Sequence, residues 1–235
     1  MPDKIRIRNL DLRFQLADRE LEVFKNFSLD IEPKDFTVIL GRSGCGKTTL
    51  LRLLMKLIEP TSGSIQMPDG ISPGLMFQEA RLMPWLTCEK NVSLGLKDPD
   101  PQQIQEILEL VGLKGFEKAY PNQLSGGMQQ RASLARTLIR HSNLILMDEP
   151  FAALDAFTRE SMQKELLRIR SQRDCGVILV THNIDEALML ADRIVLLLGG
   201  ESIKEYVMPC RDCVRDILTE PYISYKKEIQ DLIRR

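Results

Sequence analysis

The chain has 235 residues, enough for one large domain with a full core, or a domain carrying a subdomain. Its 43% hydrophobic and 28% charged residues are ordinary for a globular protein, and a formal net charge of −1 supplies no basic field to hold nucleic acid. The odd, scattered set Cys45, Cys88, Cys175, Cys210 and Cys213 excludes a secreted disulfide framework. Cys210-x-x-Cys213 lacks a second pair or a histidine partner, so it does not read as a zinc site. The start Met1-Pro2-Asp3-Lys4-Ile5-Arg6 has no apolar signal core, and no apolar run approaches the ~18 residues of a membrane span. These features predict a soluble, cytoplasmic protein.

Ile5-Arg6-Ile7-Arg8 and Leu10 to Phe14 alternate apolar and polar residues, as half-buried strands do. Gln15 to Glu20 is polar, and Phe27, Leu29 and Ile31 resume the alternation, which predicts an antiparallel sheet. Phe14 ends its strand at the edge of the loop. Position alone fits equally an aromatic face that stacks on a base or a packed side chain.

Phe36 to Leu40 is an apolar run of strand length, and Thr48 to Leu54 follows helical spacing. Between them Gly41-Arg42-Ser43-Gly44-Cys45-Gly46-Lys47-Thr48-Thr49 fits the phosphate-loop pattern G-x-x-x-x-G-K-[ST]. Such a loop turns its backbone N–H groups onto an anion at the positive end of the helix dipole. Lys47 would reach the β- and γ-phosphates, and the Thr48 hydroxyl would bind Mg²⁺. Strand, loop and helix stand in the required order, so the chain is predicted to bind a nucleoside triphosphate.

Glu59 to Ser64 reads as a turn, with short strands at Ile65–Met67 and Gly74–Phe77 ending near Gln78. From about 79 to 142 the pattern is helical, with Ile104, Ile107, Leu108 and Val111 on one face and Pro101 suited to a first helical turn. This predicts a helical subdomain inserted into the nucleotide-binding core. Ser125, Gly126 and Gly127 precede a helix to about Arg140, with Ala132, Ala135, Leu138 and Ile139 inward. That second helix start is either another anion site or an ordinary serine-capped helix.

Leu144 to Met147 is a buried-strand run ending in Asp148-Glu149. Asp148 is placed to hold Mg²⁺ through water, and Glu149 to act as general base on an attacking water. A helix is predicted from about Arg159 to Gln172, with Glu160 and Lys164 as an i,i+4 pair. Val177 to Thr181 is another buried strand, ending at His182. A short helix over Ile184–Ala191 follows, then a hairpin of Arg193–Leu198 with Ser202–Val207. Helical residues resume at Arg211, are broken at Pro221 and continue as a charged amphipathic tail to Arg235.

Taken together, these motifs resemble the nucleotide-binding subunit of an ATP-binding cassette (ABC) transporter, from about Ile5 to Val207. Leu124-Ser125-Gly126-Gly127-Met128-Gln129-Gln130-Arg131 is similar to the family's signature sequence. The resemblance implies an α/β fold: a P-loop NTPase ABC cassette with a RecA-like core, an N-terminal antiparallel β-subdomain and an inserted helical subdomain. It places the cassette at 1–208 and a helical tail at 209–235. It also implies two cassettes joined head to tail around two ATP molecules, with Ser125, Gly126 and Gly127 of one capping the phosphate held by Lys47 of the other. By resemblance Phe14 is the adenine-stacking aromatic, often tyrosine in the family. Gln78 is the glutamine that contacts Mg²⁺ and the attacking water, and Ala153-Leu154-Asp155 is the D-loop, with alanine where serine is common. His182 is the switch histidine, with Asn183 in place of the usual aspartate.

A narrower likeness, carried by Phe77 to Trp85, Asn91 to Leu96 and Asp148 to Arg159, is to importers of nitrate, sulfonate, taurine and bicarbonate. It implies membrane permease subunits, a solute-binding protein, and a peripheral place on the cytoplasmic face of the membrane. Trp85 then lies near the permease, or else is a core residue. The transported solute leaves no mark on such a subunit. The competing readings are a soluble ABC ATPase with a role outside transport and the ATPase of an exporter; no long coiled coil splits the cassette and only one cassette is present.

Overall fold

The computed structural model describes residues 3–15, 17–200, 202–210 and 215–234. In chain order the elements are β1 (Ile5–Gln15), β2 (Glu20–Ile31), β3 (Phe36–Gly41), α1 (Lys47–Leu54), β4 (Ser62–Gln66), β5 (Pro73–Met76), α2 (Cys88–Val92), α3 (Pro101–Leu110), a 3-10 turn at Pro121–Gln123, α4 (Gly126–Leu138), β6 (Leu144–Asp148), α5 (Ala156–Arg173), β7 (Gly176–Thr181), α6 (Ile184–Leu190), β8 (Arg193–Gly199), β9 (Ser202–Val207) and α7 (Tyr222–Arg234). The chain forms two compact units, one of residues 1–71 with 176–235 and one of residues 72–175. Among the described residues no helix is long and apolar enough to cross a membrane.

The first unit holds two sheets. In the antiparallel one, β1 lies between β2 and β4. The two alternating runs read at 5–8 and 10–14 are a single strand with a bulge between them. Asn9 takes φ 45°, and the register steps from Ile7↔Leu29 to Leu10↔Phe27, so one extra residue restores the inward face. Ile5, Ile7, Leu10 and Leu12 are buried as a result. The expected turn at 59–64 ends sooner than its composition suggests, because β4 begins at Ser62. Gly63 is there for contact: at φ 86° a Cβ would come within 2.4 Å of the Asn9 carbonyl. Only glycine allows this edge strand to approach the bulge so closely.

The other sheet of this unit is parallel at its centre. β3 is buried along its whole length between β7 and β8, with Leu40 opposite both Thr181 and Leu196. β9 adds antiparallel to β8, as the hairpin reading expected. Asp192 locks the start of β3, its Oδ2 accepting from the Phe36 N–H at 2.9 Å and its N–H donating to the Phe36 carbonyl at 2.8 Å. The tail folds back on this unit: α7 packs against α6 and β8, buries Ile229 and pairs Lys226 with Asp185 at 2.6 Å. The helix expected to resume at 211 can be followed only from 215, where it is not found. Arg211 to Val214 lie outside the described residues, 215–221 are irregular, bend or turn, and α7 begins only at Tyr222. Arg215 is buried and donates to the carbonyls of Leu188 and Ala191, where the negative end of the α6 dipole attracts a cation.

In the second unit β5 and β6 pair in parallel and α4 is the central helix, in contact with α2, α3, α5 and β5. Ala132, Leu134 and Ala135 of α4 are fully buried, as are Leu108, Val111 and Leu113 at the end of α3. α3 starts as predicted, with Pro101 in its first turn and Asp100 capping the Gln102 N–H at 3.0 Å. Glu160 and Lys164 pair at 2.6 Å on the exposed face of α5.

Candidate functional site

The loop between β3 and α1 is built for an anion. Gly46 stands at the N-cap of α1 in the left-handed region, at φ 101°, where a side chain would be strained and would strike Phe24 at 2.9 Å. Glycine therefore leaves the start of α1 without a side-chain cap, and its backbone donors are aimed outward at the positive end of the dipole. Gly44, also at positive φ, has open space around it. Arg42, Ser43 and Gly44 are exposed, and Cys45, Thr48 and Thr49 half-buried. Gly41 is buried against the Leu197 carbonyl, which anchors the loop to β8.

Lys47 carries the strongest chemical signal. It is only 5% exposed, and its Nζ donates to the Gly41 and Arg42 carbonyls at 2.9 Å each. No carboxylate neutralises it among the described residues. A buried ammonium held only by neutral dipoles favours an anionic ligand. The loop, the dipole and this cation together fit the triphosphate of a nucleotide.

Two further residues of this unit bear on the site. His182 is exposed immediately after β7, and because Thr181 pairs with Leu40 it leaves the sheet at the same edge as the loop. Asn183 caps α6, its Oδ1 accepting from the Asp185 and Glu186 N–H groups at 2.9 and 3.3 Å. Phe14 is 37% exposed at the open end of β1, opposite Leu21. A cavity of about 310 Å³ lies beside the loop, lined by Arg42, Cys45, Leu197, Leu198, Leu232 and Ile233. Burial pushes the Cys45 thiol above the ordinary cysteine range, against the opposing pull of Lys47.

The remaining predicted site residues belong to the second unit. Asp148 ends β6 and Glu149 follows it, both half-buried, and Glu149 takes φ 44°. A non-glycine residue held left-handed costs on the order of 1–3 kcal/mol and is typical of functional sites. Met76 pairs with Met147, so Gln78 and Glu149, each two residues further on, leave the same edge of this strand pair. Gln78 is exposed.

Ser125 is the N-cap of α4, accepting from the Met128 N–H at 3.3 Å. Gly126 and Gly127 are not ahead of the helix, as expected, but form its first turn. Ser125 and Gly126 are exposed, so this helix start faces solvent. Gly127 is buried, and a Cβ there would lie 2.3 Å from the Thr158 methyl. Asp155 caps α5, accepting from the Phe157 and Thr158 N–H groups at 3.1 Å and the Thr158 hydroxyl at 2.6 Å. Those bonds, the Thr158 hydroxyl first, hold its carboxyl below the usual carboxylate range.

Trp85 is 70% exposed, which removes the core alternative. Cys45, Cys88 and Cys175 are free thiols and Cys210 is disulfide-bonded; Cys213 lies outside the described residues. Sequence reasoning missed the buried Asn91 and Gln130 and the half-buried Arg136 of this unit, whose amides or guanidinium bind loop carbonyls. Polar residues on helices read as solvent-facing, and nothing in their spacing says otherwise.

Comparison with known proteins agrees with this geometry. A family model described as ABC transporter matches residues 24–152. An uncharacterised ABC transporter ATP-binding protein of Methanocaldococcus jannaschii is 40% identical over 247 residues, covering 100% of this chain and 92% of that protein. The aliphatic sulfonates import ATP-binding protein of Bacillus subtilis is 46% identical over 205 residues, covering 83% and 80%. Among solved structures, the ATP-binding cassette MJ0796, a dimer in a post-hydrolysis state bound to ADP and Pi, superposes with a TM-score of 0.76 at 29% identity, covering 88% of this chain and 99% of that one. With its phosphate loop, capped signature helix and α/β cassette fold, the chain belongs to the ABC transporter family, as an ATP-binding and ATP-hydrolysing subunit.

Proposed function

We propose that this subunit powers import of a small sulfonate-like anion, as one of two cassettes on the cytoplasmic face of a membrane permease fed by a solute-binding protein. The observation that carries the ATP site is the buried Lys47 ammonium, which has no carboxylate partner among the described residues and lies beside an uncapped helix start. Importer and solute class rest on the relative from Bacillus subtilis, whose name states aliphatic sulfonate import. Nitrate, taurine and bicarbonate are the neighbouring solutes that the sequence resemblance brings in.

In this reading the catalytic cassette is 1–208 and 209–235 is an accessory tail. Gly41 to Thr49 wrap the phosphates and Phe14 stacks on the adenine. Mg²⁺, held by Thr48, Gln78 and Asp148, would neutralise charge on the phosphates. Glu149 takes a proton from water as its oxygen attacks the γ-phosphorus; the bond to the β–γ bridging oxygen breaks and ADP leaves. His182 and Gln78 orient that water and phosphate. Ser125, Gly126 and Gly127 of the partner cassette cap the γ-phosphate, with Asp155 at the same interface.

The test is reconstitution with the permease and solute-binding protein encoded beside the gene, with uptake of an alkanesulfonate, taurine, nitrate and bicarbonate measured separately. ATP-dependent uptake of one solute, abolished by Glu149→Gln, is expected. Solute-independent hydrolysis with no uptake of any of the four would overturn the proposal.

A further inference from the structure

Gln130 lies on α4, on the same rigid helix as the Ser125 cap, and is 4% exposed. Its Nε2 donates to the main-chain carbonyl of Gln78 at 2.5 Å, while its Oε1 is buried without a partner. Two turns along, Arg136 donates to the Ala80 carbonyl at 2.7 Å and the Arg81 carbonyl at 3.0 Å. One helix thus grips the segment carrying Gln78 at three backbone carbonyls, those of Gln78, Ala80 and Arg81.

Stability alone does not account for Gln130. Its orphaned acceptor loses hydration without compensation, a cost that an apolar residue of the same length would not carry. The carbonyl that it binds belongs to an exposed residue, and water can replace the amide there. What water cannot supply is a fixed link between the peptide of Gln78 and the helix that begins at Ser125.

We propose that Gln130 is a positioning residue for ATP hydrolysis, tying the Gln78 peptide to the signature helix so that seating Ser125 at the phosphate of a partner cassette sets the Gln78 side chain for water. This rests on the assignment of Gln78 to the attacking water made above. Gln130 touches no substrate; it acts through Gln78.

The experiment compares four full-length variants, Gln130→Met, Gln130→Glu, Gln78→Ala and the double Gln78→Ala/Gln130→Met, for melting temperature and for kcat and KM of ATP hydrolysis. Gln130→Met keeps the length and loses the donor, and Gln130→Glu keeps the shape and loses the donor. Both should lower kcat by roughly tenfold with KM unchanged, since small misplacements of positioning groups cost 10- to 100-fold. The melting temperature of Gln130→Met should stay level or rise, and the double variant should be no slower than Gln78→Ala alone. A lower melting temperature with normal kcat per folded molecule makes Gln130 structural and overturns the proposal, as does full additivity in the double variant. If Gln78→Ala hydrolyses at the wild-type rate, the assignment of Gln78 itself fails. If Gln78→Ala is slow while both Gln130 variants are normal, only the link fails.

Discussion

Asn91 and Met83 exchange hydrogen bonds in both directions, the Asn91 Oδ1 accepting from the Met83 N–H at 2.7 Å and its Nδ2 donating to the Met83 carbonyl at 3.1 Å. The same amide reaches the Leu86 and Thr87 carbonyls at 3.0 and 3.2 Å. Asn91 is fully buried, so the turn is fastened from inside while Trp85 is held out in solvent. Asn91→Ala should destabilise the fold by on the order of 2–3 kcal/mol, because several buried groups lose partners. Trp85→Ala should change stability by less than about 0.5 kcal/mol and leave hydrolysis by the isolated chain intact. Pull-down with the permease should weaken for Trp85→Ala, as an exposed aromatic anchor can dominate a small interface. Normal assembly of folded Trp85→Ala would show that the turn presents this ring to nothing on the permease.

Lys47→Ala removes the cation that would meet the β- and γ-phosphates. ATP affinity should fall roughly 10- to 100-fold, the range of a charge-assisted hydrogen bond lost from a site. Without nucleotide the variant should melt no lower than wild type, because it removes a buried charge that no carboxylate balances among the described residues, which offsets the two lost bonds to the Gly41 and Arg42 carbonyls. Affinity within a few-fold of wild type would remove the loop from the nucleotide site.

Phe14→Ala tests the stacking role directly. An aromatic platform contributes about 1 kcal/mol, and it reads a π-face rather than base edges, so ATP and GTP should weaken equally. Unchanged affinity with a lower melting temperature would identify the half-exposed ring as packing instead.

The thiols give a pH-dependent readout of the same loop. Cys45 is half-buried, whereas Cys88 is fully buried, its thiol pushed up to about 11 chiefly by burial and then by Glu117 and Glu89. Cys45 should therefore be the first of the free thiols to alkylate in the folded chain. Its raised value means that thiolate, and hence labelling, grows at higher pH than for an ordinary cysteine. Saturating ATP should slow that labelling; a rate indifferent to ATP would separate Cys45 from the bound phosphates.

Glu149→Gln keeps the shape of the proposed base and loses its proton affinity. Hydrolysis should fall ~10²-fold or more and ATP-bound dimers should accumulate on a sizing column. Adding Ser125→Arg should abolish those dimers by filling the helix start that we propose faces the partner's phosphate. A double variant that dimerises with ATP as before would reduce α4 to a serine-capped helix.

Most of the strands and the phosphate loop were legible in the sequence because their signals are local. β3 is an unbroken apolar run, Asp100-Pro101 punctuates α3, and the loop is written in contiguous glycines. Illegible were features set by contacts distant in sequence. The joining of β1 through Asn9 depends on Gly63 of another strand, and the start of β4 at Ser62 follows from that contact rather than from its own turn-like composition. The exposure of Trp85 is fixed by Asn91, whose buried amide looks like any helix-surface polar residue in a one-dimensional reading. Glu149 announces itself chemically, yet its left-handed backbone has no sequence mark, since only glycine and asparagine ordinarily signal that conformation.

The contact of Gly127 with Thr158 has a consequence for how this chain can change. With 2.3 Å available, any side chain at 127 collides with the Thr158 methyl, and Thr158 is also the hydroxyl that steadies the Asp155 cap. Shrinking 158 to serine would admit a methyl at 127 and keep the hydroxyl; shrinking it to alanine would admit the methyl and leave the Asp155 cap with its two backbone donors alone. The constraint runs in one direction: position 158 can shrink by itself, but position 127 can gain a side chain only after 158 has shrunk.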